Sequence, residues 1–289
     1  MENQKCDSKK CIMVAMEATS LIAAFECMSN INGNVTIIEF DKCGFRTYTT
    51  TDTSQKSTPS KKNASSVQKR EVSQFNGIFS SEWLGHYYYS DKLPKRYTGS
   101  VDTTGFMDIM KNLKKDTLDF YVVKGEDGNL DKIHMKVAKG SGEKYINFDT
   151  NIDQITYVDA FNKYYANSEP IAKPFNKTFQ STCSGVRQTK CTSLKFNMNV
   201  DKNTLAIVLL NDGENVISRE TLCYDNTPDD ESDTMLSIEV PAKCWVIKIP
   251  KLSVNACTHI YMSTEKRAPL LFKTHIGSQG FAVCSIRMR

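Results

Sequence analysis

Residues 102–137 constrain the fold more than any other part of the sequence. Their first part predicts a short amphipathic helix, with Thr103 or Thr104 placed to cap it. Apolar residues follow at the helical spacing of three and four positions: Phe106, Ile109, Met110 and Leu113. The sequence LDFYVVK, the turn GEDGN and the alternating sequence DKIHMKV then predict two antiparallel strands. The segment is therefore expected to be a helix packed on a β-hairpin.

The helix of this segment has a lysine face. Lys111, Lys114 and Lys115 lie opposite the apolar residues, because positions three and four apart are neighbours on a helix. A similar order of elements recurs along the chain. Each half predicts a strand, a helix and a hairpin, then an excursion, and then a second helix, a second hairpin and a closing strand. We therefore expect four such units, with their lysine faces as the working surface.

The predicted fold is α+β, with antiparallel sheets and four short helices on one face. Changes in composition divide the chain into an N-terminal domain at 1–149, a connector at 150–169 and a C-terminal domain at 170–289. Residues 53–75 are rich in Ser, Thr, Lys and Gln and predict a mobile basic loop, either a solvated insertion or a contact with a polyanion. Residues 212–240 predict a long excursion between elements.

The overall charge is too mild to identify a partner. Lys and Arg number 37 against 33 Asp and Glu, which gives a net charge of +4, so the distribution of charge has to decide. No apolar run approaches the roughly 18 to 20 residues of a membrane span, and the polar N-terminus has no features of a signal peptide. The ten cysteines include no CxxC pair. We therefore expect reduced, buried thiols in an intracellular protein.

The sequence shows no catalytic constellation. It contains no GxxxxGK[ST], GxGxxG, GxSxG or HExxH motif. Each histidine lies in a strand-like pattern, where histidines are more often structural than ligands: His86, His134, His259 and His275. The scattered cysteines do not supply the clustered ligands of a metal site. We therefore expect no enzyme activity, no metal and no cofactor.

Three parts of the sequence resemble DNA sliding clamps of the proliferating cell nuclear antigen (PCNA) type. Residues 258–277 look like the family's strand, turn, x-P-L and strand that precede its last strand. Residues 44–46 resemble its Gly-containing turn into a strand, and residues 101–123 resemble its first-domain second helix and the strand after it. The resemblance covers most of the chain outside 53–75 and 212–240.

The resemblance implies a two-domain subunit that closes head to tail into a ring, usually a homotrimer, with helices around a central channel. Such a ring encircles double-stranded DNA independently of its sequence and tethers a DNA polymerase and other replication proteins through short peptides. It is a processivity factor without chemistry of its own. The resemblance also implies that edge strands of neighbouring subunits pair, here 144–149 and 204–211.

The resemblance also implies which residues contact DNA. Lys111 and Lys114 fall on channel positions of the family's matching helix, and Lys251 falls near a lysine of its last helix. Lysine suits a sliding contact, because a flexible point charge holds phosphate without reading bases. The full set of candidates is Lys9, Lys10, Lys111, Lys114, Lys115, Lys177, Arg187, Lys190, Lys248 and Lys251. These residues either contact DNA or merely solvate helix faces.

The resemblance also implies that partner peptides bind an outer apolar pocket beside the connector, with Ile155, Tyr157 and Val158 on the pocket side. Two features depart from the family. The first predicted helix, 17–29, carries no lysine, and Pro250 lies inside the last helix candidate, which must be short or kinked. The basic loop is a candidate source of the missing charge.

Three alternatives stay open at this point. A mildly basic chain leaves room for a monomer of the same fold that holds DNA by charge without closing a ring. A sheet-rich viral structural or scaffold protein would carry the same lysines only as surface charge. An enzyme with an unrecognised site is the third. The divergent, cysteine-tolerant sequence with its long insertion suits a large DNA virus, and hence the nucleus or a cytoplasmic viral replication factory.

Overall fold

The computed structural model describes residues 10–31, 35–51, 71–110, 117–124, 130–137, 143–150, 159–188, 191–199, 204–211, 216–223, 235–241, 246, 248–263, 265 and 267–288. The described strands are β1 (Lys10–Glu17), β2 (Val35–Asp41), β3 (Gly44–Thr50), β4 (Glu71–Ser80), β5 (His86–Tyr89), β6 (Arg96–Asp102), β7 (Thr117–Lys124), β8 (Leu130–Val137), β9 (Glu143–Asn147), β10 (Ser193–Asn199), β11 (Thr204–Leu210), β12 (Val216–Cys223), β13 (Met235–Pro241), β14 (His259–Tyr261), β15 (Leu270–Ile276) and β16 (Gly280–Met288). The described α-helices are α1 (Ala18–Ile31), α2 (Thr103–Met110), α3 (Ala160–Tyr164) and α4 (Asn176–Gln188).

The chain forms two compact units. The first consists of residues 1–49, 76–157 and 275–282, and the second of residues 50–75, 158–274 and 283–289. The predicted division into two clamp domains and a connector stays a prediction. None of the described helices is both long and apolar enough to cross a membrane.

A five-stranded antiparallel sheet in the order β5-β1-β7-β8-β9 belongs to the first unit. Successive side chains of a strand face opposite sides, so Ile12, Val14 and Met16 of β1 all point inward and are at most 2% exposed. The hairpin predicted after the helix of residues 102–137 is present as β7 and β8. The alternation of polar and apolar residues therefore identified these strands correctly.

The two described helices of the first unit pack together through aromatic rings. Phe25 of α1 stacks on Phe106 of α2, with ring centroids 4.1 Å apart and planes inclined by 19°. The predicted threonine cap of α2 is wrong. The Asp102 carboxylate accepts hydrogen bonds from the backbone N–H groups of Thr104 and Gly105, at 3.2 and 3.0 Å. Thr103 is fully buried instead, and its hydroxyl is hydrogen-bonded to the hydroxyl of Thr36, which is also buried.

The turn between β2 and β3 requires glycine. Gly44 has φ of +138°, and a Cβ atom there would lie 2.0 Å from the carbonyl oxygen of Phe79. The close approach brings β3 against β4, where Phe45 stacks on Phe79 with centroids 4.5 Å apart and planes inclined by 9°. The backbone N–H of Ser81 also donates to the Cys43 carbonyl at 2.8 Å. The sequence DKCG thus forms the turn that its glycine predicts.

The second unit contains a four-stranded antiparallel sheet in the order β12-β11-β10-β13. Two of these strands overturn the prediction that residues 212–240 are an excursion. β12 and β13 are outer strands of the sheet among the described elements, and outer strands keep polar side chains that hide the strand pattern. The acidic run within 229–233 lies outside the described residues.

Two further predictions need correction. The predicted mobile basic loop extends too far, because residues 71–75 belong to β4, where the backbone N–H of Thr51 donates to the Ser73 carbonyl at 2.9 Å. Its remaining part, 53–70, lies outside the described residues. The predicted exposed connector contains α3, and Tyr165 just after it is only 2% exposed.

Candidate nucleic-acid interface

The start of α4 is fixed by one buried polar side chain, Asn176. Its Nδ2 atom donates to the Ser253 carbonyl at 2.6 Å and to the Thr274 hydroxyl at 3.1 Å. Its Oδ1 atom accepts from the Thr258 hydroxyl at 2.6 Å, and its backbone N–H donates to the Ala256 carbonyl at 2.9 Å. Asn176 is fully buried, and its bonds to the Thr274 and Thr258 hydroxyls are shielded from water. The helix start is therefore tied to the loop at 253–258.

One stripe of α4 packs into the second unit. Asn176, Phe179 and Thr182 recur every three residues and are at most 2% exposed. Phe179 stacks on Phe272 of β15, with centroids 6.1 Å apart, and Phe272 in turn meets Phe196 of β10 edge-on at 5.8 Å. Positions three and four apart share a helix face, so the opposite face of α4 turns to solvent.

The solvent face of α4 begins with a lysine. Lys177, Thr178 and Ser181 are exposed. Next to α4 lies the 3₁₀ turn Ile249–Lys251, within the segment 243–252 where a fourth helix was predicted, and Val246 and Lys248 just before the turn are helical. Pro250 lies at its start, where a missing N–H group is tolerated.

The same turn presents a second lysine. Ile249 and Leu252 are buried at 0% and 3% exposure, whereas Lys251 is exposed and Lys248 is half-buried. The buried side chains of Ile249 and Leu252 hold the turn in place, and Lys251 lies between them on its exposed side. Lys177 and Lys251 thus come from two adjacent elements that share one buried anchor.

The structure places only part of the predicted lysine set. Lys177, Lys248 and Lys251 belong to the second unit as described above. Arg187 lies in the last turn of α4, and Lys10 is the first residue of β1 rather than part of a loose tail. The remaining candidates for DNA and partner binding lie outside the described residues: Lys9, Lys111, Lys114, Lys115, Lys190, Ile155, Tyr157 and Val158.

The described helix surface of the first unit is acidic or neutral. In α1 the exposed residues are Thr19 and Asn30, and neither side chain is charged. In α2 Thr104 and Asp108 are exposed, and the capping Asp102 is exposed as well. The exposed cations that the structure describes on helical elements near the predicted DNA surface are therefore those of the second unit.

Two solved structures have an architecture similar to that of this chain. The chain matches a structure of the PCNA2–PCNA3 complex from Sulfolobus tokodaii with a TM-score of 0.64, 16% identity and coverage of 96% of this chain and 99% of that one. It matches PCNA from Entamoeba histolytica with a TM-score of 0.65, 11% identity and coverage of 97% and 99%. The chain has the fold of PCNA. No protein-family model and no curated protein sequence matches it.

The observed strand pairing corrects one of the two predicted edge strands. Among the described strands β9 pairs only with β8, which agrees with an edge at 144–147, whereas Asp149 forms a bridge with Ser100 of β6. The other prediction, 204–211, is wrong, because β11 pairs with β10 on one side and β12 on the other. β12 pairs with β11 on one side, and no described strand pairs with its other side.

The described end of the connector is docked onto the second unit. Phe161 of α3 packs edge-on against Tyr261 at 5.3 Å, and the Lys273 ammonium lies 4.5 Å from the Phe161 ring centroid. The Tyr165 hydroxyl donates to the Pro269 carbonyl at 2.6 Å. Burial raises the pKa of Tyr165, so the phenol keeps the proton that it donates.

A groove of about 370 Å³ lies beside Pro269. Its walls are β13 on one side and the segment between β14 and β15 on the other: Met235, Leu236, Ser237, Ile238, Met262, Ser263, Glu265, Ala268, Pro269 and Leu270. β13 pairs only with β10 among the described strands, so its outer edge faces this groove. Sequence reasoning missed the groove because it missed β13.

The residue that organises the lysine-bearing elements was missed as well. Asn176 opens α4, and an asparagine at a predicted helix start is a signal that could have drawn attention to it. The histidines lie in strands as predicted, in β5, β8, β14 and β15. His134 packs between Tyr121 and Tyr145 on its own sheet, with centroids 5.1 and 4.4 Å away. In the described part of the chain no three potential metal ligands cluster.

Proposed function

We propose that this chain is a DNA sliding clamp, a protein without catalytic activity that holds double-stranded DNA and tethers a polymerase as a processivity factor. The PCNA fold, matched over 96% and 97% of the chain, carries the proposal. A fold match that spans both units favours a clamp over a scaffold protein that is merely rich in sheet. Such a protein acts where DNA is replicated.

The lysines of the second unit supply the phosphate contacts. A sliding protein needs attraction that does not depend on sequence, and most such attraction comes from cations near phosphates. Lys177 and Lys251 are exposed, and their elements are held together by the Asn176 hydrogen bonds. Lys248 and Arg187 are the nearest further candidates on these two elements, and Lys111, Lys114 and Lys115 are the candidates on the first unit.

Subunits associate through open strand edges. We assign β9 of one copy and β12 of the next as the pairing strands, in place of the interior strand β11. Pairing of this kind is heterologous and closes a ring when the rotation fits, and we expect a homotrimer. The mass of the protein in solution tests this assignment. A trimer supports the assignment. A monomer would contradict it, and the protein would then bind DNA through charge without forming a ring.

Partner peptides bind on the second unit. The groove beside Pro269 combines an open strand edge with walls of mixed polar and apolar residues, and a short peptide can add to such an edge while its side chains fill pockets. The predicted pocket residues Ile155, Tyr157 and Val158 precede α3, whose packing on Tyr261 brings the described end of the connector to this region.

Salt-dependent binding of duplex DNA tests the DNA-binding role. Wild-type protein should bind duplexes of unrelated sequence alike, with an affinity that falls as salt rises. The double variant Lys177→Ala/Lys251→Ala should reduce the slope of log K against log salt by about one unit for each lysine that contacts phosphate. The control is Lys163→Ala, which removes an exposed lysine of the same unit that lies on α3.

Two outcomes would contradict this role. An unchanged slope in the double variant would remove the two lysines from the DNA surface. A loss of affinity confined to some sequences would point to a reader of specific DNA sites instead.

A further inference from the structure

An aromatic side chain is exposed among the lysines of the second unit. Residues 172–177 alternate strictly between buried and exposed positions. The buried positions are Ala172, Pro174 and Asn176, and the exposed ones are Lys173, Phe175 and Lys177. Phe175 is 67% exposed, the largest exposed fraction among the large apolar side chains that the structure describes. In the sequence, an exposed lysine thus lies two residues before and two residues after the exposed aromatic residue.

The backbone holds Phe175 in this position. Phe175 and Cys257 form an antiparallel bridge, and Ala172 and Ile260 form another. Asn176 then ties the next residue to the loop at 253–258 through its buried hydrogen bonds. Phe175 is therefore fixed from both sides although its ring is in water. The fixed backbone thus presents one exposed aromatic face to solvent in a defined place.

The charges around Phe175 favour an anionic partner. Lys177 lies two residues further along the chain, and Lys251 lies on the turn adjacent to α4. Lys173 has one carboxylate near it, since its ammonium is 3.8 Å from Glu169, but both side chains are more than half exposed. Exposed ion pairs of this kind are weak and are easily exchanged for a phosphate contact.

We propose that Phe175 stacks on an unpaired base at the boundary between duplex and single-stranded DNA, while Lys173 and Lys177 contact the neighbouring phosphates. Cations combined with an aromatic platform are the usual means of binding single-stranded DNA without reading sequence. A base inside a duplex is already stacked and paired, so only an unpaired base is free to meet the ring. The inference rests on the proposed clamp function and adds a preferred substrate, a duplex that carries a single-stranded extension.

The test compares two probes at the same salt concentration, a blunt fluorescent duplex and the same duplex with an oligothymidine extension. Wild-type protein should bind the extended duplex about tenfold more tightly. Phe175→Ala should abolish this difference while it leaves the affinity and the salt slope for the blunt duplex unchanged. Phe175→Tyr should retain the difference, because tyrosine keeps the aromatic face. Val254→Ala, at an apolar position of the adjacent loop that is 51% exposed, is the control and should behave like wild type.

The outcomes separate this inference from the clamp function. Duplex binding with no advantage of the extension overturns the inference and leaves the clamp intact. Equal losses on both probes in Phe175→Ala also overturn it, because the ring would then support duplex binding or folding. Binding to neither probe in wild-type protein would remove the clamp function itself.

Discussion

Replacing Asn176 by alanine tests whether one buried amide holds the lysine-bearing elements together. The side chain makes three hydrogen bonds, to the Ser253 carbonyl and to the hydroxyls of Thr274 and Thr258. A typical hydrogen bond contributes about 1 kcal/mol net, and a buried partner left unsatisfied costs about 1 to 3 kcal/mol. Thr274 keeps another acceptor in the Cys257 carbonyl at 3.2 Å, and the Ser253 carbonyl keeps a donor in the Ala256 backbone N–H at 3.2 Å, so the buried partner that loses its acceptor is the Thr258 hydroxyl.

We therefore expect Asn176→Ala to lower the free energy of unfolding of the second unit by about 3 to 4 kcal/mol. Urea denaturation followed by circular dichroism measures this change as a lower midpoint at an unchanged slope. The control is Asn162→Ala, which removes an exposed asparagine whose amide donates to Asp159 at 2.7 Å. It should shift stability by no more than about 0.5 kcal/mol.

A small effect would refute the reasoning. If Asn176→Ala cost less than about 1 kcal/mol, the buried amide would not be what couples α4 to the loop at 253–258. The placement of Lys177 beside Lys251 would then need another cause, such as the packing of Phe179 alone.

Two further substitutions test the core. Gly44→Ala should destabilise the first unit by more than about 2 kcal/mol in urea denaturation, because φ is +138° and a Cβ atom would lie 2.0 Å from the Phe79 carbonyl oxygen. A tolerated alanine there would contradict the turn geometry. Phe179→Ala should cost about 3 to 5 kcal/mol in the same assay, because the ring is fully buried. A loss near zero would show that α4 is not packed through this residue.

Local patterns predicted the helices and hairpins well. The helix and hairpin of residues 102–137 appear as α2, β7 and β8, because hydrophobic periodicity depends only on which side of an element faces the core. The same reasoning failed at the cap of α2. A threonine and an aspartate are both good caps, and the burial of Thr103 against Thr36 decided between them.

The order of strands in a sheet was harder to predict, since it depends on contacts distant in sequence. The pairing of β11 on both sides could have been anticipated, because TLAIVLL is apolar at nearly every position and such runs are typical of interior strands. β13 carries polar residues at alternate positions and is mostly half-exposed or exposed, as an outer strand is. The edge at 204–211 was assigned from the family resemblance, and that assignment overlooked the apolar run of β11.

The candidate site was predicted in part. The family resemblance implied Lys177 and Lys251, whose contact with DNA stays a prediction, but it did not point to Asn176 or Phe175. Their roles depend on burial and exposure, which a sequence does not state. Even so, the sequence KPFNK shows an aromatic residue between two lysines. The structure adds that all three of these side chains are exposed.

Retention on DNA with blocked ends tests the central claim, that copies of this chain close around duplex DNA. The protein is loaded onto a linear duplex that is tethered to a bead at one end, and the free end is then either blocked with a bulky bound protein or left open. In a high-salt wash, which screens the lysine contacts, we predict retention on the blocked duplex and loss from the open one. Equal loss from both duplexes would contradict a closed ring.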